Sequence, residues 1–160
     1  MKSINDAFAA GIDNAARVTL MFTEDFKDGD WTYRIVPDGN CAAWLLGHLV
    51  MASRMMMSRC GVSGLPLLPE GFETRFARDE TAPMAVDFGD TVTLRPLFQQ
   101  HHDRFAGVAR GMSADQLAKP LDHPMFKSVG QMLSFAPVHI ATHAGQISAI
   151  RRSLGRKPLV

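Results

Sequence analysis

Three histidines carry the clearest chemical potential in this sequence. His139 and His143 stand four residues apart in SFAPVHIATHAGQISAIRRSLG (residues 134–155), and His48 lies in AWLLGHLVMASRM. Four residues along an α-helix amount to about 40° around the axis and about 6 Å along it, so the first two rings leave one face a turn apart. That face also carries Met132, Phe135, Ala136, Ile147 and Ile150, which turns both rings toward a helix-packed interior. Two imidazoles so placed can share a metal ion at the Zn–N distance of about 2.0–2.1 Å. An H-x-x-x-H pair by itself is a weak signal, for such a pair is more often two part-buried rings satisfied by backbone carbonyls or water. His48 shares a face with Cys41, Trp44, Leu45, Met51, Ala52 and Met55, so it points inward from a second helix. Each buried neutral imidazole needs a donor and an acceptor partner, and a shared cation would satisfy one nitrogen of all three rings at once. Three protein ligands with open positions is the pattern of a catalytic rather than a structural site. Neutral ligands leave the cation's charge uncompensated, which favours an anion such as a thiolate or hydroxide at the open position. Imidazole suits zinc, nickel, iron and copper alike.

The other chemistry-bearing residues are weaker candidates. Gln146 lies one turn after His143 and is placed to orient that ligand or a substrate. Alternatively, Gly145 and Gln146 mark a close helix crossing, since a mid-helix glycine otherwise costs about 1 kcal/mol relative to alanine. His101 and His102 are adjacent in QQHHDR, which reads mainly as a solvated helix face with room for only one of them to turn inward. His123 precedes Pro124 and is expected on a surface loop. Cys41 would have a lowered thiol pKa at a helix N-terminus, but a small core residue is the preferred reading. Met55, Met56 and Met57 fit gap-filling core, a dimer surface or an adaptable wall for an apolar substrate. No general acid or base stands out, because the acidic residues fall mostly on expected surfaces or loops.

The elements that must position these groups are helical, and no convincing β alternation appears. A first helix is expected from about Ser3 to Asp25, with Ile4, Phe8, Ile12, Ala15, Val18 and Phe22 on its apolar face. The segment FKDGDWTYRIVPDGN, broken by Gly29, Pro37 and Gly39, reads as irregular. Asn40 would cap a second helix that Gly61 closes. A Pro- and Gly-rich connection of roughly thirty residues follows, a length usual for functional loops or for crossovers in a bundle. A third helix opens at Thr93 and continues to Gly111, Ser113–Gln116 forms a capping box for a short helix, and Ser128–Gln131 a second box for the last one. The last helix ends near Gly155, and Pro137 is expected to kink it one turn before the histidines. Four amphipathic helices make a single all-α domain over residues 1–160, a four-helix bundle with long crossover connections.

Bulk properties narrow the function. With 160 residues, 46% hydrophobic and 21% charged, the chain is an ordinary globular sequence. Its formal net charge of +1 is scattered, so neither nucleic acid nor an anionic membrane is expected as a partner. The cluster of Arg151, Arg152, Arg156 and Lys157 suits the dipole at a helix C-terminus. No run reaches the ~20 apolar residues of a membrane span, and Asp6, Asp13 and Arg17 interrupt any signal-like stretch. Cys41 and Cys60, roughly 28 Å apart along one helix, cannot bridge within a chain. Together these features predict a cytoplasmic protein that acts on a small molecule.

The segments PDGNCAAWLLGHLVMASRM and VHIATHAGQISAIRRSLGRKP resemble the two signature helices of the DinB/YfiT-like proteins, and GLPLLPEGFETRFARDETAPM resembles that family's long second connection. The combination GH…H-x-x-x-H-x-GQ carries most of the likeness, which spans nearly the whole chain. The resemblance implies a four-helix bundle, a homodimer, and a divalent metal such as zinc, nickel or iron held by His48, His139 and His143. Characterised members include thiol-dependent S-transferases and a mycothiol-dependent maleylpyruvate isomerase. A metal-dependent transferase or hydrolase, with a low-molecular-weight thiol as a possible cosubstrate, is therefore the expected activity. The rival expectation is a non-catalytic helical dimer serving as a ligand-binding or stress-response module.

Overall fold

The helical periodicity is realised as four long helices, α1 (Ile4–Phe22), α3 (Ala42–Arg59), α5 (Leu94–Gly111) and α7 (Val129–Ser153). Three short ones lie between them, α2 (Asp28–Thr32), α4 (Phe72–Arg75) and α6 (Ala114–Ala118), and a 3₁₀ turn at Thr91–Thr93 leads into α5. This computed structural model describes residues 3–77 and 87–159, so the part of the long connection from 78 to 86 lies outside the described residues. The described residues contain no strand, only an isolated antiparallel bridge between Pro120 and Ser128.

α1 packs against α5 and α7, and α3 packs against the same two. Successive long helices α1 and α3 therefore lie diagonally across a four-helix bundle, which explains why the chain between them is long rather than a tight turn. α3 is buried almost all round: every residue from Ala42 to Val50 is inaccessible or nearly so. A helix apolar on all sides needs cover on all sides. α5 and α7 supply part of it, and α4 supplies more by laying Phe76 on Gly47. Phe76 also stacks between Phe72 and Phe88, with ring centroids 4.4 and 5.7 Å away. Met56 and Met57 join the core as expected, whereas Met55, read from its spacing as inward, is 45% exposed.

α7 runs on unbroken through Pro137. Proline removes one N–H from the helical ladder and needs room for its ring. Gly11 of α1 provides that room, for a Cβ there would lie 2.9 Å from Pro137 Cγ.

The caps follow the sequence in most places. Ser113 and Gln116 form the reciprocal box, with Gln116 N–H donating to Ser113 Oγ at 3.2 Å and Ser113 N–H to Gln116 Oε1 at 2.8 Å. At α7, Ser128 Oγ accepts from Gln131 N–H at 3.3 Å, but the Gln131 side chain reaches Lys127 N–H instead, so this second box is half formed. The N-cap of α3 is Cys41 rather than Asn40, and its side chain makes no capping bond. Gly61 (φ 84°) closes α3 and Gly155 (φ 77°) follows α7, both in the left-handed region that glycine tolerates.

α1 stops at Phe22, three residues before the expected end, and the segment read as irregular contains α2. The cause is a clamp that the local pattern does not show. Arg151, buried near the end of α7, pairs with Asp25, and Arg156 pairs with Asp25 (3.0 Å) and with Asp30. Asp30 in turn accepts the Lys27 N–H at 2.7 Å at the start of α2. Two of the basic residues expected merely to suit the helix dipole thus tie the end of α7 to the segment that follows its neighbour α1. The Arg151 hydrogen bond, with the charges of both arginines, holds the Asp25 carboxyl below its ordinary pKa.

Candidate metal centre

α3 carries His48 and α7 carries His139 and His143 on the faces these two helices turn to each other. The three rings converge through Nε2. His139 Nε2 lies 3.4 Å from His48 Nε2 and 3.2 Å from His143 Nε2. One nitrogen from each ring falls within 4.8 Å of the others, and among the described residues no other group of three or more His, Cys, Asp or Glu side chains gathers in this way. Ligands at about 2.05 Å in a tetrahedral shell sit about 3.3 Å apart, so the observed separations fit a first-row divalent cation. The donor set fits as well, being three imidazoles of the kind that holds catalytic zinc.

Each ring is held from behind. Trp44, one turn before His48, stacks on it at 4.8 Å with planes 12° apart. Phe135, one turn before His139, lies 5.9 Å away at 27°. His143 Nδ1 donates to Gln146 Oε1 at 2.9 Å, which leaves the Nε2 lone pair directed at the cluster. Gln146, placed by sequence one turn after His143, is thus hydrogen-bonded to that ring. The competing idea of a close crossing at Gly145 fails, because a Cβ there meets nothing within 4 Å.

We predict that Gln146→Leu weakens divalent-metal binding about 10- to 100-fold, the range typical of losing such a supporting hydrogen bond. Competition with a chromophoric chelator measures this directly.

The pair on α5 departs from expectation. Both His101 and His102 are buried, at 0% and 1% exposure, where only one was expected to turn inward. α5 is wedged between α1 and α3, so its covered arc exceeds the 100° that separates adjacent residues. His101 ties elements together: its Nδ1 donates to Leu97 O at 2.9 Å and its Nε2 accepts from Arg54 at 3.3 Å. Arg54 also reaches the carbonyl of Pro66 in the long connection. His102 Nδ1 donates to Phe98 O at 2.8 Å, and its ring stacks on Phe98 at 3.9 Å. Neither histidine joins the cluster of three. The signal was present in the sequence, for the apolar stripe Leu94, Phe98, Phe105, Ala109 passes through the histidine pair. His123, expected on the surface, is half-buried against the Phe126 ring at 4.7 Å.

The cysteines do not supply a nucleophile. Cys41 is buried and both thiols are free, with burial raising the Cys41 pKa and pushing Cys60 up to about 11. The small-core reading of Cys41 is the one the structure supports.

Fold and site together define a four-helix-bundle protein with a three-histidine centre between two of its helices. The family model of the DinB superfamily matches residues 12–147, and the chain belongs to that superfamily. Among solved structures it is similar to YfiT from Bacillus subtilis, described as a probable metal-dependent hydrolase with an unusual four-helix bundle topology. The likeness covers 98% of this chain and 91% of YfiT, with a TM-score of 0.69 and 15% sequence identity. No curated protein sequence matches this chain. No helix among the described residues is long and apolar enough to cross a membrane.

Proposed function

We propose that the protein is a metal-dependent enzyme in which His48, His139 and His143 hold one divalent cation, and that it transfers a low-molecular-weight thiol or water to an electrophilic small molecule. The observation that carries this reading is the convergence of three Nε2 atoms from two helices onto one point. The description of YfiT as a probable metal-dependent hydrolase supports it at the level of the reaction class. A divalent cation at such a site acidifies a bound thiol or water and so supplies a nucleophile near neutral pH.

The chain's own residues do the rest. Three neutral ligands add no negative charge to offset the cation, which suits an anionic nucleophile over a cationic substrate. Gln146 fixes the tautomer of His143, and the Trp44 ring fixes the plane of His48, so little reorganisation is left for the ligands to undergo. His48 is 8% exposed, while His139 and His143 are half-buried, so the α7 side of the centre is where a substrate reaches it.

The test is elemental analysis of untagged protein beside a His139→Ala, His143→Ala double variant, followed by turnover assays. Near-stoichiometric metal in the wild type and none in the variant is expected. The loaded protein should consume activated electrophiles in the presence of cellular thiols, or activated esters in their absence, while the variant does neither. Removing a catalytic metal should leave the bundle folded, unlike removal of a structural zinc. No metal in the wild type after incubation with zinc, nickel and iron salts would overturn the reading in favour of a non-catalytic binding module.

A further inference from the structure

His102 presents a problem that the three-histidine cluster does not solve. Its Nδ1 carries the proton, because it donates to the Phe98 carbonyl, so its Nε2 is a bare lone pair. That atom is buried and has no hydrogen-bond partner among the described residues. Leaving a buried acceptor unmatched forfeits its hydration without compensation, so native proteins rarely keep one without reason.

The ring lines a cavity of about 10 Å³ between α3, α5 and α7. The other walls are apolar (Leu49, Ala52, Met56, Phe105, Ala136, Ile140) with two exceptions, Ser53 and the metal-ligand candidate His139. Ser53 donates its hydroxyl proton to Val50 O at 2.8 Å, which leaves its oxygen able to accept. The volume matches the roughly 10–15 Å³ that one water molecule requires, and a buried water is stable where it finds two to four polar partners.

We propose that this cavity is a water site, and that through its water His102 acts as a positioning residue for His139 and hence for the metal centre. The water donates one proton to His102 Nε2 and the other to Ser53 Oγ. His139 lines the same cavity, and with its Nε2 turned toward His48 and His143 its Nδ1–H is the group that would donate to a lone pair of this water. The arrangement extends to His139 the support that Gln146 gives His143 directly. It also accounts for a histidine, rather than leucine, in the apolar stripe of α5. Burial keeps His102 neutral throughout the physiological range, as an acceptor here must be.

The inference rests on the metal reading for its functional consequence, but the water can be tested without it. In a crystal structure of the metal-free protein at about 1.2 Å, the cavity should hold one ordered solvent peak within hydrogen-bond distance of His102 Nε2 and Ser53 Oγ. An apolar repacking that fills the cavity, or a cavity without density, would overturn the proposal whether or not the protein binds metal. Chelator competition with zinc tests the positioning role. His102→Leu should weaken zinc about 10- to 100-fold with stoichiometry retained, and Ser53→Ala several-fold. His102→Gln, whose Oε1 restores an acceptor, should recover most of the loss. Equal zinc affinity in wild type and His102→Leu, with both folded, would sink the positioning role. Equal losses in the Leu and Gln variants would likewise show that packing rather than hydrogen bonding is responsible. Failure of the wild type to bind zinc at all would strike the metal reading instead, and the solvent peak would then decide the water site alone.

Discussion

Gly47→Ala is expected to destabilise the protein by about 2–4 kcal/mol, although alanine for glycine within a helix ordinarily gains about 1 kcal/mol. The reason is the seat of Phe76. A Cβ on residue 47 would lie 2.1 Å from Phe76 Cδ1, 2.2 Å from Cε1 and 2.4 Å from Cγ, far inside any tolerable contact. The ring cannot simply swing away, since Phe72 and Phe88 hold it and it is 1% exposed. Evicting it uncovers the top of α3 beside His48, and truncating a buried phenylalanine typically costs about 3–5 kcal/mol. A double-mutant cycle by denaturant unfolding isolates the cause. In a Phe76→Ala background, Gly47→Ala should be neutral or stabilising by up to about 1 kcal/mol, giving a large coupling energy. Equal destabilisation in both backgrounds would mean that the glycine is needed for some other reason. Gly145, which is also helical but open to solvent, provides the contrast: alanine there should be tolerated.

The same glycine shows how far the sequence could be read. Periodicity located the four long helices because each has an apolar face, and the inward faces of α3 and α7 were enough to bring His48, His139 and His143 together. Gln146 was legible for the same reason, since its contact is one turn along its own helix. What escaped was information carried between distant segments. Gly47 sits in a conspicuous GH pair, but its purpose depends on Phe76, which lies in a connection with no periodicity. α2 exists where Asp25 and Asp30 meet Arg151 and Arg156, more than a hundred residues away. The burial of both α5 histidines depends on α5 being wedged between two neighbours, which local polarity in QQHHDR conceals.

Function follows from the same division. A centre built from residues four apart and from one inward position on a neighbouring helix needs only two rigid elements. Trp44 behind His48 and Phe135 behind His139 fix ring planes by stacking, and the long connection covers α3 through Phe76. Substitutions in these supports should alter metal affinity without altering which residues bind it.

Stability of the metal-free protein should fall by about 2 kcal/mol more between pH 7.5 and pH 5 in the wild type than in His102→Leu. Burial is the principal cause, lowering the His102 pKa from its ordinary 6.5 to about 4, and nearby His101 and His139 push it the same way. The Phe98 carbonyl opposes them without prevailing. The folded state therefore refuses a proton that the unfolded chain accepts. Above the unfolded pKa neither state is protonated at this site, and the stability is fully present. As pH falls below about 6.5 the unfolded state gains protons first, and stability drops by about 1.4 kcal/mol per pH unit until the folded ring titrates near 4. The full loss is roughly 3 kcal/mol, a large share of the 5–15 kcal/mol typical of a domain. Asp25 does not confuse the measurement, because its lowered pKa makes its contribution fade only in more acidic solution. His101, also lowered by burial, contributes in the same direction to both proteins and largely cancels in the comparison. Urea midpoints across this range, with chelator present throughout, give the two slopes. Parallel slopes would mean that His102 takes up its proton in the folded state as readily as in the unfolded one, and that the core of α5 is far more open to water than its packing shows.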